Sequence, residues 1–178
     1  MAVKSVACTI KGTSPLLMHA YPMVSPPDGW EKWSPEQQAK VDEYRDPDTG
    51  ELYVPGVNIQ CCLVEAAVYS KGKGRASLQK PVAACALVSP ERCPLGVKDY
   101  RVDSRPVVIP STKGRVMRHR PRLDEWQLSF VIEYDDELLS ETELRKVVDD
   151  AGKRVGLLDF RPAKKGPFGR FMVTAWKV

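Results

Sequence analysis

Residues 126–151 restrict the possible folds of this chain more than any other stretch. Trp126, Leu128, Phe130, Ile132 and Tyr134 alternate with Gln127, Ser129, Val131 and Glu133. A period of two puts one set on each face of a β-strand. Asp135-Asp136 then marks a turn, and Ser140-x-x-Glu143 is a capping box that opens a helix. Leu144, Val147, Val148 and Ala151 supply the apolar stripe of that helix, and Gly152 is its expected stop.

The first part of the chain has the same order. Val6, Cys8 and Ile10 alternate with Ser5, Ala7, Thr9 and Lys11 in a strand that Gly12-Thr13-Ser14-Pro15 ends. Asn58 is placed to cap a helix to about Ser70, whose stripe is Ile59, Leu63, Ala66 and Ala67. The apolar run Val82 to Val88 predicts a buried strand, and Phe171, Val173 and Ala175 a final one. The order strand–helix–strand, twice, predicts an α+β fold with a ferredoxin-like, RRM-like βαββαβ core. Two insertions are expected, one after the first strand and one between the second and third.

Residues 20–55 are the first insertion. Pro22, Pro26, Pro27, Pro35 and Pro47 interrupt regular structure. Ser34-Pro35-Glu36-Gln37 starts a short polar helix to about Tyr44, and Leu52-Tyr53-Val54 is a short strand. The segment is expected to protrude from a single domain over 1–178. Residues 89–125 are expected to be irregular, with Val107-Val108-Ile109 a short strand.

Charge is unevenly distributed. The chain has 27 Lys+Arg and 23 Asp+Glu for a net charge of +4 over 178 residues. Residues 71–80 carry Lys71, Lys73, Arg75 and Lys80, a charge of +4. Residues 113–122 carry Lys113, Arg115, Arg118, Arg120 and Arg122 beside His119, a charge of +5. Residues 153–170 carry Lys153, Arg154, Arg161, Lys164, Lys165 and Arg170 against Asp159, again +5. The three windows therefore hold +14 and the remainder −10. Basic segments set against an acidic body are the electrostatic footprint of a polyanion-binding protein, provided that the fold brings them together. In residues 156–169, glycines are expected to let backbone amides approach phosphates, with Phe160 and Phe168 stacking on bases.

Several classes are excluded or disfavoured. No apolar run approaches the roughly 18–20 residues that span a bilayer, so no membrane partner is expected. The first residues do not resemble a signal peptide, and a cytoplasmic location is expected. Cys8, Cys61, Cys62, Cys85 and Cys93 lack the paired spacing of a zinc site, so no metal or cofactor is expected. The chain has no nucleotide-binding glycine fingerprint and no nucleophile elbow. Asp135-Asp136 and Asp149-Asp150 lie beside a turn and on a polar helix side, and do not make the convergent carboxylates of a two-metal nuclease.

Four segments carry a resemblance: the strand running into Gly12-Thr13-Ser14-Pro15-Leu16-Leu17-Met18, then Val54-Pro55-Gly56-Val57-Asn58-Ile59 opening a helix, then Gly156-Leu157-Leu158-Asp159-Phe160-Arg161-Pro162, and Lys165-Gly166-Pro167-Phe168-Gly169-Arg170-Phe171. The pattern resembles the repeat-associated mysterious protein (RAMP) superfamily, whose members include CRISPR effector backbone subunits and repeat-processing endoribonucleases. The tail from Phe160 also looks like that of small phage and prophage proteins. The resemblance implies a modified RRM-like core, a glycine-rich loop near the last strand, and single-stranded RNA as ligand; the residues themselves leave DNA open. It also implies a homo-oligomer or membership of a CRISPR-type complex, with 20–55 touching the partner.

The nucleic-acid-binding residues expected on these grounds are Lys71, Lys73, Arg75, Lys113, Arg115, Arg118, His119, Arg120, Arg122, Phe160, Arg161, Lys164, Lys165, Phe168 and Arg170. Binding is favoured over catalysis. Two alternatives stand beside it. In one, His19 serves as the general acid/base of a metal-independent endoribonuclease, a role the resemblance puts soon after the first strand. In the other, the chain is a phage-encoded interaction module or inhibitor that mimics a CRISPR subunit.

Overall fold

The fold was described from a computed structural model that covers residues 3–72, 74 and 76–178. In chain order the first half contains β1 (Val3–Gly12), β2 (Leu16–Leu17), α1 (Pro35–Val41), β3 (Tyr53–Pro55), α2 (Gly56–Ala66) and α3 (Gln79–Cys85). The second half contains β4 (Leu87–Ser89), β5 (Arg92–Pro94), β6 (Arg101–Val108), β7 (Arg115–Leu123), β8 (Gln127–Asp135), α4 (Glu141–Asp150) and β9 (Phe171–Lys177).

The alternating segments form the centre of the molecule. β1 lies between β8 and β9, antiparallel to both, and β4 adds beyond β8, so the sheet order is β4-β8-β1-β9. Cys8 faces Phe130, and Ile10 faces Leu128. Val6, Cys8, Ile10, Phe130, Ile132 and Tyr134 are buried in one core with Ile59 and Leu63 of α2 and Leu144, Val147 and Val148 of α4. Each such side chain contributes about 1.5–3 kcal/mol of hydrophobic stabilisation. The capping box forms as expected, with Ser140 Oγ accepting from the Glu143 amide and the Glu143 carboxylate accepting from the Ser140 amide.

The opposite sheet face carries Ser5, Ala7, Thr9 and Lys11 of β1 and Gln127, Ser129, Val131 and Glu133 of β8. Thr9 and Ser129 hydrogen-bond across it at 2.8 Å. Among the described residues this face displays no aromatic ring, so it offers no stacking platform for bases.

A second sheet, of order β2-β7-β6, is built on the long β6–β7 hairpin. The chain leaving β1 lines its edge, with Leu16 and Leu17 opposite Leu123 and Arg122. α1 packs on this hairpin and buries Ala39, and its own capping box joins Ser34 to Gln37. β3 and β5 pair separately.

Four sequence expectations need correction. Residues 79–85 are helical and only 87–89 extended. Along the apolar run only Val82, Ala86 and Val88 are buried, and the first two are four apart, a helical spacing. Residues 89–125 are largely strand, because β6 and β7 alternate in charge and not in hydrophobicity. Asn58 is not a cap: α2 starts at Gly56, directly from β3, and a Cβ there would strike the Pro90 carbonyl oxygen. Gly152 does not stop α4. The helix continues as a π-helical turn over Ala151–Val155 and ends at Gly156, whose φ of 76° is left-handed. Gly152 is instead where the carbonyl of Phe171 passes too close for any Cβ.

Candidate nucleic-acid interface

The loop from Gly156 to Arg170 closes on itself. Leu157 donates its amide to Gly169 O at 3.0 Å, Phe168 to Phe160 O at 3.1 Å and Gly166 to Arg161 O at 3.0 Å. Asp159 donates to Leu17 O and Gly169 to Pro15 O, at 3.0 and 2.8 Å, which fastens the loop to the segment leaving β1. Leu158, Phe160 and Lys165 adopt left-handed φ values of 60°, 47° and 62°, a conformation that costs energy in residues with a side chain. Most amides of this loop are therefore engaged internally. Its glycines serve close chain packing, since a Cβ at Gly166 would meet the Phe160 carbonyl.

The loop meets the β6–β7 hairpin across a charged and aromatic seam. Arg120 of β7 pairs with Asp159 of the loop, and its Nε lies 3.7 Å from Asp42. The guanidinium of Arg105 stands 4.6 Å from the Phe168 ring centre and that of Arg122 5.3 Å from it. Asp103 holds both arginines, accepting from Arg105 at 2.5 Å and from Arg122 at 3.2 Å. Phe168 is 5% exposed, so it secures the loop to the hairpin and has no free face for a base. Phe160, stacked 5.9 Å from Phe168, is 36% exposed and keeps an open edge.

The expected basic residues divide into paired and unpaired groups. Arg120, Arg122 and Arg161 have carboxylate partners in Asp159, Asp103 and Glu65. Lys113, Arg115, Arg118, Lys164, Lys165 and Arg170 have none among the described residues. Arg118 rests 5.4 Å from the centre of the Trp30 ring. The hairpin also splits its window between two faces: Arg118, Arg120 and Arg122 alternate with Arg115, His119 and Pro121. His119 bonds Ser104 at 2.7 Å on the side away from the loop.

The 113–122 window and the loop part of 153–170 thus come together, while Lys71 and Lys80 lie elsewhere, and Arg154 stacks 5.2 Å from the Tyr69 ring beside the 71–80 window. Gly72, Ser77 and Leu78 adjoin Asp136 to Ser140, at the end of the sheet where Val3 pairs with Asp135. The glycine-rich loop sits at the other end, where the Gly12 amide bonds Trp126 O. Lys71 and Lys80 are exposed at that distant end. Lys73 and Arg75 lie outside the described residues.

Where the loop, α2 and the β1 exit converge, a cleft of about 250 Å³ opens between His19, Tyr44, Asn58, Cys61, Asp159 and Arg161. Burial, then the Arg120 cation, lowers the His19 pKa, which keeps the imidazole neutral near pH 7. Its Nε2 is 3.9 Å from Asp42. Burial pushes the Asp42 carboxyl up to about 6, against the pull of Arg120. Burial also raises the Tyr44 phenol, while a hydrogen bond from Asn58 works the other way. Cys62, pushed up to about 12 by burial, donates its thiol to Gly156 O at 3.2 Å and ties α2 to the loop. Asp42, Tyr44, Asn58 and Asp159 were not expected from sequence. Only Asp159 gave a signal there, as the lone acid in a basic window. Among the described residues no group of three His, Cys, Asp or Glu is placed to hold a metal ion.

No family model and no curated protein matches this chain. Among solved structures the chain is similar to one in the cryo-EM structure of the Type III-B Cmr-beta bound to cognate target RNA. The TM-score is 0.60 at 12% identity, over 98% of this chain and 60% of that one. The likeness is therefore one of fold, and this chain spans about three fifths of its neighbour's length. The fold is mixed α+β with antiparallel sheets, and no described helix is long and apolar enough to cross a membrane.

Proposed function

We propose that this protein binds single-stranded nucleic acid, RNA in preference to DNA, through a RAMP-like core, and acts without catalysis within a multi-subunit assembly in the cytoplasm. The observation that carries the reading is the seam joining the β6–β7 hairpin to the glycine-rich loop, with Arg118, Lys164, Lys165 and Arg170 left unpaired on its two sides. The sheet order β4-β8-β1-β9, with α2 and α4 on one face, supports a ferredoxin-like core. The RNA in the neighbouring structure supports the choice of ligand. Phosphates engage the unpaired cations and a base rests on Phe160, while the paired arginines keep the seam rigid. Residues 20–55 are the partner-facing insertion, and Tyr21, Met23 and Val24 there are 87%, 97% and 83% exposed.

Fluorescence anisotropy with labelled single-stranded RNA and DNA across a salt series tests the reading. Four phosphate contacts on a single strand give a slope of about −3 in log K against log salt. Affinity that ignores salt, or no binding, rejects it.

The position of His19 in the cleft favours a second reading, a metal-independent endoribonuclease. A neutral, half-exposed imidazole can take a proton from a ribose 2′-hydroxyl, with Arg161 near enough to offset phosphate charge. Incubating labelled RNA in EDTA with wild type and His19→Ala separates the two, since only the enzyme loses cleavage on substitution.

A further inference from the structure

The cleft between His19, Asn58, Cys61, Leu158, Asp159 and Arg161 has a shape and polarity that the phosphate-binding reading does not use. Its volume of about 250 Å³ lies below the roughly 300–1,000 Å³ of sites for drug-sized ligands, which suits a single flat ring system. Asp159 stands at its wall with one carboxylate oxygen engaged by Arg120. The other oxygen has no hydrogen-bond partner among the described residues and remains an acceptor. Arg161 also lines the cleft, and its guanidinium is only partly used. Nη1 donates to Leu158 O at 3.1 Å, and Nη2 lies 3.6 Å from Glu65, beyond hydrogen-bond length. A carboxylate acceptor and a guanidinium donor therefore line one small cavity beside the loop.

We infer that this cleft is a base pocket selective for guanine in the bound single strand, an inference that rests on the nucleic-acid reading above. Guanine alone among the four bases presents an N1–H and an N2 amino group beside a carbonyl acceptor. The donor edge meets the free oxygen of Asp159, and O6 with N7 meets the guanidinium of Arg161, the pairing by which arginine commonly reads guanine. Adenine turns the N1 lone pair toward the carboxylate, and cytosine does the same with N3. Uracil offers one N–H between two carbonyls, so it makes half the contact. Single-stranded RNA is the ligand in which a base is free to leave its stack and expose these edges. Arg120 holds the Asp159 carboxylate in place, so a base need not order it on binding.

The test measures affinity of the wild-type chain for octamers of uridine with one central guanosine, adenosine, cytidine or uridine, by anisotropy at fixed salt. The guanosine octamer is expected to bind at least about tenfold tighter than the others. Inosine, which lacks the N2 amino group, and 7-deazaguanosine, which lacks N7, are each expected to lose part of that gain. Asp159→Asn is expected to level the four affinities. That variant disturbs the Arg120 pair, so the base-analogue series on the wild type is the deciding arm. Equal affinity for all four octamers overturns the inference and leaves the binding reading intact. No binding of any octamer overturns both.

Discussion

Arg120 and Asp159 form an ion pair across the seam, one from the middle of β7 and one from the glycine-rich loop. The same guanidinium lies 3.7 Å from Asp42, and its side chain is only 11% exposed. Its Nε has no hydrogen-bond partner among the described residues, so it is held by charge alone on that side. One buried cation thus serves two carboxylates, one on either side of it.

Replacing Arg120 by alanine leaves Asp42 and Asp159 without their cation in a partly buried site. Removing one partner of a buried pair costs about 3–5 kcal/mol, and the partial exposure of Asp159 puts the expected loss near the lower end. Arg120→Lys is expected to recover only part of it, because a point ammonium cannot span both acids as a planar fork does. Urea denaturation followed by circular dichroism reads both values. A loss below about 1 kcal/mol for the alanine variant contradicts this account.

The pH dependence of stability has opposing parts. Asp42 titrates at about 6 in the fold and near 3.9 when unfolded. The native state therefore holds the extra proton between those values, and stability rises as pH falls through 6 toward 4. The lowered pKa of His19 acts in the other direction, since the unfolded imidazole protonates first and stability falls below about 6.5. Arg118, Arg120 and Asp159 face the pair from β7 and the loop. In a His19→Gln background, unfolding free energy is expected to rise between pH 7 and pH 5, by about 1.3 kcal/mol. Adding Asp42→Asn should flatten that profile, and a profile unchanged by it means another group is responsible.

Glycines in the loop differ from glycines that only turn the chain. Gly169 has a φ of 75° and would drive a Cβ into the backbone of Leu157, whereas Gly29 has a φ of 85° and nothing within 4 Å. Gly29→Ala is expected to cost about 1 kcal/mol, from backbone conformation alone. Gly169→Ala carries that cost plus the collision, and should lower thermal stability several-fold more. Similar melting temperatures for the two variants would show that the loop yields easily.

Charge removal should separate the two ends of the molecule. Alanine at Lys164, Lys165 and Arg170 together is expected to reduce the salt slope for RNA by about 2, at roughly 0.7 per contact on a single strand. Alanine at Lys71 and Lys80 should leave the slope within error, because they lie at the opposite end of the sheet. Equal effects from both sets would mean that nonspecific charge, and not the seam, governs binding.

Three strands of the central sheet, β1, β8 and β9, and its two helices were legible in the sequence because their physics is local. Val6 to Ile10 and Leu128 to Tyr134 alternate because one face is buried, and the Ser140–Glu143 box names its own helix start. The β6–β7 hairpin was not legible, since its inward face carries Asp103, Arg105, Arg118, Arg120 and Arg122, which are neutralised by each other, by Asp159 and by ring contacts.

By itself the sequence determined that the chain is mixed α+β, where its main core segments run, and that its positive charge is concentrated in three windows. Only the tertiary structure decided which of those charges remain available. Pairing depends on what the fold brings within a few ångströms, so Arg120 and Arg122 became part of the scaffold, while Arg161 keeps part of its guanidinium free at the cleft. The fold set Lys71 and Lys80 apart from the seam, with Arg154 alongside Tyr69 on their side. It also brought His19 and Asn58, distant in sequence, to the walls of one cleft with Asp159 and Arg161.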